Sequence, residues 1–92
     1  MAEVQTRTEV EVTVTFPITK KKEPFQERAA RDATVGAVRT AAMGYFEVQD
    51  DSQFVYVLAH DGVEEGNNRT VGEVAGPAEA LKFTLVKKIA QG

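Results

Sequence analysis

Few side chains in this sequence could carry covalent chemistry. The 92 residues include no cysteine, which excludes a thiolate nucleophile, a cysteine zinc site and a disulfide framework. His60 is the single histidine, so a multi-histidine metal centre is also excluded. We therefore expect that the chain binds no metal and no cofactor.

Two pairs of adjacent carboxylates, Asp50-Asp51 and Glu64-Glu65, are the remaining side chains of interest for acid–base chemistry. Neighbouring side chains on strands or turns tend to point apart. Nothing in either stretch indicates the burial that would raise a carboxyl pKa for catalysis. We predict that the protein is not an enzyme.

The last residue is a chemical candidate of another kind. The sequence ends LVKKIAQG, an apolar run that becomes basic and stops on Gly92. A glycine carboxylate at the end of a short tail is sterically bare, as a partner enzyme requires if that carboxylate is the reacting group. The alternative is that glycine is simply common at chain ends.

Alternating apolar residues predict strands at both ends of the chain. In EVEVTVTF and in ALKFTLVKKI the apolar positions recur with period two, which is typical of a half-buried strand. The residues that share a face are Val10, Val12, Val14 and Phe16 in the first segment and Leu81, Phe83 and Leu85 in the last. Further strands are predicted around residues 25–30 and in QFVYVLAHDG.

A change of period between these strands predicts one amphipathic helix over about residues 35–46. Thr34 or Asp32 is a plausible N-cap, and Gly44 is a candidate for the C-terminal stop. Residues 63–79 are predicted to be mostly turns, with a short strand at Val63 and one helical turn near residues 71–75. No internal repeat is evident.

A single helix must bury its apolar stripe against one face of a sheet. We therefore predict an α+β fold in which a mixed sheet of four to five strands packs on one helix. The first and last strands are the most regular, and we place them side by side at the centre, running in the same direction. The predicted domain covers residues 9–86, between a flexible N-terminus at 1–8 and an exposed C-terminal tail at 87–92.

Composition limits the possible partners. Ninety-two residues suffice for one domain with a modest core. The net charge is −3 with both signs interspersed, which argues against a general nucleic-acid binder. The sequence has neither a secretory signal at its start nor an apolar run of membrane-spanning length. We expect a cytoplasmic protein that binds neither nucleic acid nor membrane and is monomeric when free.

Two stretches resemble the ubiquitin-like, or β-grasp, family and its bacterial members. VEEGNNRTV, residues 63–71, resembles a family turn made of an apolar residue, two acids, glycine, arginine, threonine and an apolar residue, with Asn67 and Asn68 inserted. LKFTLVKKIAQG resembles the last family strand and its tail. The resemblance covers about residues 9–92 in element order and implies the ubiquitin-like β-grasp fold.

The resemblance also implies a protein modifier. In that family an activating (E1-like) enzyme adenylates the C-terminal carboxylate, and a conjugating (E2-like) enzyme passes it to a lysine of a target protein. The resulting isopeptide bond is later broken by a deconjugating peptidase. The implied conjugation residue is Gly92, and the tail that presents it comprises Lys87, Lys88, Ile89, Ala90 and Gln91.

Gln91 is a departure from the family pattern, because the family usually ends in two glycines. This residue disfavours a eukaryotic-type activating enzyme and leaves a dedicated bacterial one open. It also counts against a sulfur carrier with a C-terminal thiocarboxylate, since that family ends in double glycine as well. A non-covalent β-grasp module or accessory subunit is a further alternative, and it would not need an accessible terminal glycine.

Strand alternation predicts an exposed apolar patch. If Tyr56 faces the helix, Val57 faces solvent, and Val86 is out of phase with the buried positions of the last strand. Ile18 at the first hairpin could join them. The resemblance implies that this surface is recognised by partners, whereas the alternative is that single exposed valines are ordinary in sheets.

The lysines at 20–22 and 87–88 predict a basic edge. Such an edge either steers an acidic partner or serves only to solvate and protect the sheet.

Overall fold

The computed structural model describes residues 9–18 and 23–90. Strands and helices alternate along the chain, with most of the helical residues in one central helix. In chain order they are β1 (Glu9–Thr15), β2 (Phe25–Ala30), α1 (Val35–Phe46), β3 (Phe54–His60), β4 (Val63–Glu65), α2 (Val71–Ala75) and β5 (Ala80–Ile89).

The strands form one mixed sheet in the order β2-β1-β5-β3-β4. β1 and β5, the first and last strands, are adjacent and parallel, and the other neighbouring pairs are antiparallel. Parallel neighbours need a long crossover connection, which here includes α1. The predicted α+β architecture, with the first and last strands side by side, is confirmed.

One face of the sheet is buried against the helices, and strand alternation decides which residues lie on it. Val10, Val12 and Val14 have no exposed surface, and Phe83 and Leu85 are at most 2% exposed. These are the positions that the period-two pattern predicted. Truncating a side chain buried in this way to alanine typically costs about 2–5 kcal/mol.

The helix α1 is capped at both ends by its own neighbours. The Thr34 hydroxyl oxygen accepts a hydrogen bond from the Ala37 N–H at 3.1 Å, so Thr34 rather than Asp32 is the N-cap. The helix ends at Glu47, which has a φ of 62° and donates its backbone N–H to the Gly44 carbonyl at 3.3 Å. The prediction of a stop at Gly44 is wrong, because this glycine lies inside the helix.

The short helix α2 appears where the sequence predicted a single helical turn. Thr70 and Glu73 form a capping box, in which each side chain accepts a hydrogen bond from the backbone N–H of the other residue. A Thr-Val-Gly motif at residues 70–72 supplies the N-cap and first two residues of α2, and the same motif does so for α1 at residues 34–36. Three residues are too few to be recognised as a repeat in the sequence alone.

The two Thr-Val-Gly segments lie against each other, and a bridge joins Thr34 to Thr70. Four backbone N–H groups at the helix starts donate across the contact. The bonds are Val35 N to Arg69 O at 2.7 Å, Val71 N to Ala33 O at 2.8 Å, Gly36 N to Asn67 O at 3.1 Å and Gly72 N to Arg31 O at 2.8 Å. Both helices thereby satisfy N–H groups that have no partner within the helix.

Strand β5 covers the whole of the predicted segment ALKFTLVKKI. It continues through Ile89 and pairs with β3 as far as the partners Phe54 and Ile89. This corrects the predicted domain boundary at Val86, because Lys87 and Lys88 belong to the sheet and do not begin a free tail. Residues 1–8, predicted as a flexible N-terminus, and residues 91–92 lie outside the described part of the chain.

Candidate partner-binding surface

An apolar pocket of about 250 Å³ opens where β1 ends beside β5. β1 stops at Thr15, opposite Thr84, and Pro17 cannot continue the strand ladder because it has no backbone N–H. β5 runs on, so the edge that β1 leaves uncovered becomes a wall of the pocket. The lining residues are Phe16, Pro17, Ile18, Thr84, Leu85, Val86 and Lys87.

The floor of the pocket is part of the hydrophobic core. Phe16 is 6% exposed, and its ring packs against Phe46 and Tyr56 with centroid separations of 5.4 Å and 5.9 Å. Leu85 is buried beside it. Ile18 is 66% exposed and forms part of the rim. A buried floor and an exposed apolar rim leave room for an apolar side chain from another molecule.

The three residues of the predicted patch are close to one another in the fold. Ile18 and Val86 line the same pocket, and Val57 is the direct cross-strand partner of Val86. Val57 and Val86 are both half-buried on the face of the sheet opposite the helix. Phe16 and Leu85 were assigned to the core alone, although the early end of β1 at Pro17 was a signal that they also border an opening.

Two lysines of β5 stand beside this surface. The Lys87 ammonium lies 4.2 Å from the centre of the Phe54 ring, and Lys87 also lines the pocket. The Lys88 ammonium lies 2.8 Å from a Glu64 carboxylate oxygen. Residues 20–22, the other half of the predicted basic edge, lie outside the described residues.

The predicted tail divides at the end of β5. The side chains of Lys87, Lys88 and Ile89 are exposed although their backbone is in the sheet. Ala90 follows the strand, and its N–H donates to the Gln53 carbonyl at 2.8 Å. Gln91 and Gly92, which include the predicted conjugation residue, lie outside the described residues.

The first acidic pair covers an open edge of β3. β4 pairs with β3 only from Leu58 to His60, so the earlier part of β3 has no strand on that side among the described residues. Asp50 accepts a hydrogen bond from the Tyr56 N–H at 2.9 Å and also pairs with Arg39. The Arg39 guanidinium in turn donates to the Tyr56 carbonyl at 2.6 Å. These contacts satisfy an edge that would otherwise be open to another strand.

The second member of that pair has a similar structural role. Asp51 accepts hydrogen bonds from the backbone N–H groups of Phe54 and Gln53, each at 2.8 Å. The bond from Phe54, followed by that from Gln53, holds the pKa of Asp51 below its ordinary value. A lowered pKa favours the charged carboxylate, which suits a turn-forming acceptor rather than a general acid at neutral pH.

The second acidic pair makes ion pairs at the surface. Glu64 contacts Lys88, and Glu65 lies 3.1 Å from the Arg69 guanidinium. His60 uses its Nδ1, which lies 3.1 Å from the Lys82 carbonyl oxygen. Residues 9–18 and 23–90 contain no cluster of three potential metal-ligating side chains. Neither of the two helices in these ranges has the length and apolar character needed to cross a membrane.

Comparison with known proteins identifies the fold. No protein family model and no curated protein sequence matches the chain. Among solved structures, the chain is similar to Caldiarchaeum subterraneum ubiquitin, with a TM-score of 0.70 and 24% sequence identity over 91% of this chain and 99% of that one.

Two further solved structures agree. The N-terminal ubiquitin-like domain in the 4931431F19Rik protein has a TM-score of 0.64 and 14% identity over 92% of this chain and 80% of its own. The ubiquitin-like domain of Arabidopsis thaliana protein At2g32350 has a TM-score of 0.60 and 20% identity over 85% of this chain and 76% of its own. The chain therefore has the ubiquitin-like β-grasp fold that its sequence resemblance implied.

Proposed function

We propose that this chain is a ubiquitin-like protein modifier that is joined to target proteins through the carboxylate of Gly92. The observation that carries the proposal is the fold, which matches Caldiarchaeum subterraneum ubiquitin over 91% of this chain and 99% of that one. The last strand, β5, leads directly to residues 90–92. Gly92 has no side chain to obstruct the active site of a partner enzyme.

The proposed chemistry takes place at the acyl carbon of Gly92. An activating enzyme joins the carboxylate to the AMP portion of ATP and releases pyrophosphate. A thiolate of a partner enzyme then attacks the acyl carbon, forms a thioester and releases AMP. Finally, a lysine amine of a target attacks the thioester, the thiolate leaves, the amine loses a proton and an isopeptide bond remains.

This chain supplies only the acyl group in these steps. The activating and conjugating enzymes supply the catalytic groups, and a peptidase hydrolyses the isopeptide bond when the modifier is released. We expect these partners in a bacterial cytoplasm, as the sequence resemblance implies. Because Gln91 stands where relatives have a glycine, we expect an activating enzyme dedicated to this chain.

The decisive experiment is a search for conjugates in the native host. Proteins carrying this chain are isolated under denaturing conditions, and mass spectrometry is used to detect Gly92 joined to lysine side chains. We expect such adducts with the wild-type chain and none with a variant that lacks Gly92. Cells that contain the cognate enzymes but form no adduct would exclude the modifier function.

A non-covalent interaction module is the second candidate, and the pocket beside β5 favours it. Its rim is formed by Ile18 and Val86, with Val57 adjacent on the sheet. Lys87 at the same rim favours a partner with an acidic group next to its apolar side chain. This surface would serve equally to dock the partner enzymes of a modifier.

Substitutions on the surface separate docking from conjugation. Val57→Asp combined with Val86→Asp places two carboxylates on the docking face, and we expect partner binding to weaken by at least about tenfold. Val55→Asp is the matched control, because Val55 is a half-buried valine on the same strand and face. Ile18→Asp tests the rim at a residue that is 66% exposed, so folding should not be affected.

Circular dichroism first establishes that each variant is folded. Partner binding that is unchanged in both the double variant and Ile18→Asp would exclude this surface. Loss of binding without any adduct on the wild-type chain would favour the non-covalent module.

A further inference from the structure

The C-terminal part of β5 is supported differently from the rest of the strand. From Ala80 to Thr84, β5 is paired with β1. Beyond Val86 its only strand partner among the described residues is β3, through the partners Tyr56 with Lys87, Val55 with Lys88 and Phe54 with Ile89. This part of the sheet is therefore a two-stranded ribbon. Such a ribbon is at best marginally stable without a third strand or a packed face.

Besides the pairing with β3, the contacts that hold this ribbon closed are made by charged or polar groups near the surface. The Lys87 ammonium rests 4.2 Å from the Phe54 ring centre, and the Lys88 ammonium rests 2.8 Å from Glu64. The Ala90 N–H donates to the Gln53 carbonyl at 2.8 Å.

Ile89, the only large apolar side chain in the segment, is 73% exposed. Ile89 therefore adds little buried apolar surface when the segment closes, in contrast to Leu85 on the same strand, which is 1% exposed.

The closed ribbon limits how far Gly92 can reach. In this sequence only Gln91 and Gly92 follow Ala90, and two extended residues span about 7 Å. If the backbone from Lys87 onward separates from β3, the extended segment that ends at Gly92 spans about 20 Å. In the open form, an enzyme that must enclose the Gly92 carboxylate has the longer segment to bind.

We propose that residues 87–90 form a latch that opens from β3 as a unit, while the remainder of β5 stays in the sheet, and that this opening controls access to Gly92. The link to Gly92 rests on the proposed modifier function. The latch is a local unfolding unit, because its contacts are solvent-accessible and separate from the core. Besides its pairing with β3, it is held by the Lys87–Phe54, Lys88–Glu64 and Ala90–Gln53 contacts.

Native-state hydrogen exchange of the full chain, followed by NMR, tests the opening directly. We expect the Ala90 amide to exchange at least about 100-fold faster than amides between Leu81 and Leu85, with little dependence on denaturant. Glu64→Gln removes the partner of Lys88 and should speed Ala90 exchange by about two- to five-fold, the effect of losing one exposed ion pair.

Glu9→Gln is the matched control for this measurement. It makes the same charge change in an exposed pair with Arg28, 3.9 Å apart, in the first strand of the sheet. It should leave Ala90 exchange unchanged. The latch would be refuted if Ala90 exchanged at the rate and denaturant dependence of the strand centre, or if both variants had the same effect.

A reversible cross-link connects the latch to Gly92. Val55 and Lys88 are cross-strand partners, and paired strand residues lie about 4.5–5.5 Å apart at Cα, within the range that a disulfide can span. The Val55→Cys/Lys88→Cys variant should show slow Ala90 exchange when oxidised and fast exchange when reduced. The chain has no other cysteine, so the reduced form of the same variant is the control.

The two forms are then offered to host extract that contains the partner enzymes, with adduct formation read after a fixed short interval. The reduced form is prepared with a dithiol, which is then removed. We expect the oxidised form to give at least about tenfold less Gly92 adduct than this reduced form. Equal adduct yields would refute control by the latch while leaving the modifier function intact. Rapid Ala90 exchange with no adduct even from the wild type would refute the modifier function and, with it, the role of the latch at Gly92.

Discussion

Replacing Gly72 by alanine should destabilise the protein, whereas the same replacement at Gly44 should stabilise it. Both glycines are helical, but they have different surroundings. A Cβ at Gly72 would lie 3.0 Å from the Arg31 carbonyl oxygen and 3.0 Å from the Arg31 Cβ. A Cβ at Gly44 would meet no atom within 4 Å.

The magnitude at Gly72 follows from its contact with Arg31. The Gly72 N–H donates to that carbonyl at 2.8 Å, so neither backbone can retreat without weakening the bond. Inserting a methyl group into a filled space costs about 1–3 kcal/mol, and weakening a backbone hydrogen bond adds about 0.5–1.5 kcal/mol. The better helix propensity of alanine offsets at most about 1 kcal/mol of this cost. We expect a net destabilisation of about 1–3 kcal/mol.

At Gly44 only the propensity change remains. Alanine is favoured over glycine in a helix interior by about 0.5–1 kcal/mol, and the side chain at this position faces solvent. For a domain of this size 1 kcal/mol shifts the melting temperature by about 4–8 °C. Gly44→Ala should therefore melt about 2–8 °C higher than the wild type, and Gly72→Ala at least about 4 °C lower.

Thermal and urea unfolding, followed by circular dichroism, measure both variants under the same conditions. The urea m-value should be unchanged, since neither substitution alters the surface exposed on unfolding. A Gly72→Ala variant as stable as the wild type would contradict the close backbone approach between Gly72 and Arg31. A destabilised Gly44→Ala would contradict the position of the helix end at Glu47.

Three further predictions concern single side chains. A hydrogen bond from the Phe54 N–H lowers the Asp51 pKa from 3.8, so the stability that the Asp51 carboxylate contributes is present above pH 3.8 and is lost as the pH falls through the folded-state pKa. The unfolding free energy of Asp51→Asn in urea should therefore fall less steeply with acid than that of the wild type, and an identical fall would contradict this. Glu47→Gly should be more stable than Glu47→Ala by about 0.5–1 kcal/mol in urea unfolding, because glycine adopts a φ of 62° without strain, and equal midpoints for the two variants would refute the reasoning. Asp50→Ala removes the acceptor for the Tyr56 N–H and should lower the urea unfolding free energy by about 1–3 kcal/mol, whereas a loss below about 0.5 kcal/mol would show that the β3 edge does not need this contact.

The sequence predicted the elements because each depends on a local pattern. Alternation over EVEVTVTF and ALKFTLVKKI indicates which side chains are buried, whatever lies above them. The N-cap at Thr34 depends on a bond to Ala37, three residues away. One helix and several strands allow few compact arrangements, so the parallel pairing of β1 with β5 could also be predicted.

The candidate surface was predicted only in part. Alternation was sufficient to place Val57 and Val86 on one face. Only the pairing of β3 with β5 in the structure shows that they are direct cross-strand partners. The pocket depends on where β1 stops relative to β5, which joins Ile18 to residues far along the chain. No local pattern contains that information.

Tertiary structure likewise decided how far the pairing of β5 extends. The sequence turns basic at Lys87, which suggested a tail, but β3 provides a partner that continues the ladder to Ile89. The end of α1 is local by contrast, because the helix covers the predicted residues 35–46 and the left-handed cap at Glu47 bonds to Gly44.

The sequence by itself determined which residues face the core, since burial follows the period of each segment. The tertiary structure decided which strands pair, how far each pairing extends and what lies between the segments, because the hydrogen bonds of a sheet join distant parts of the chain.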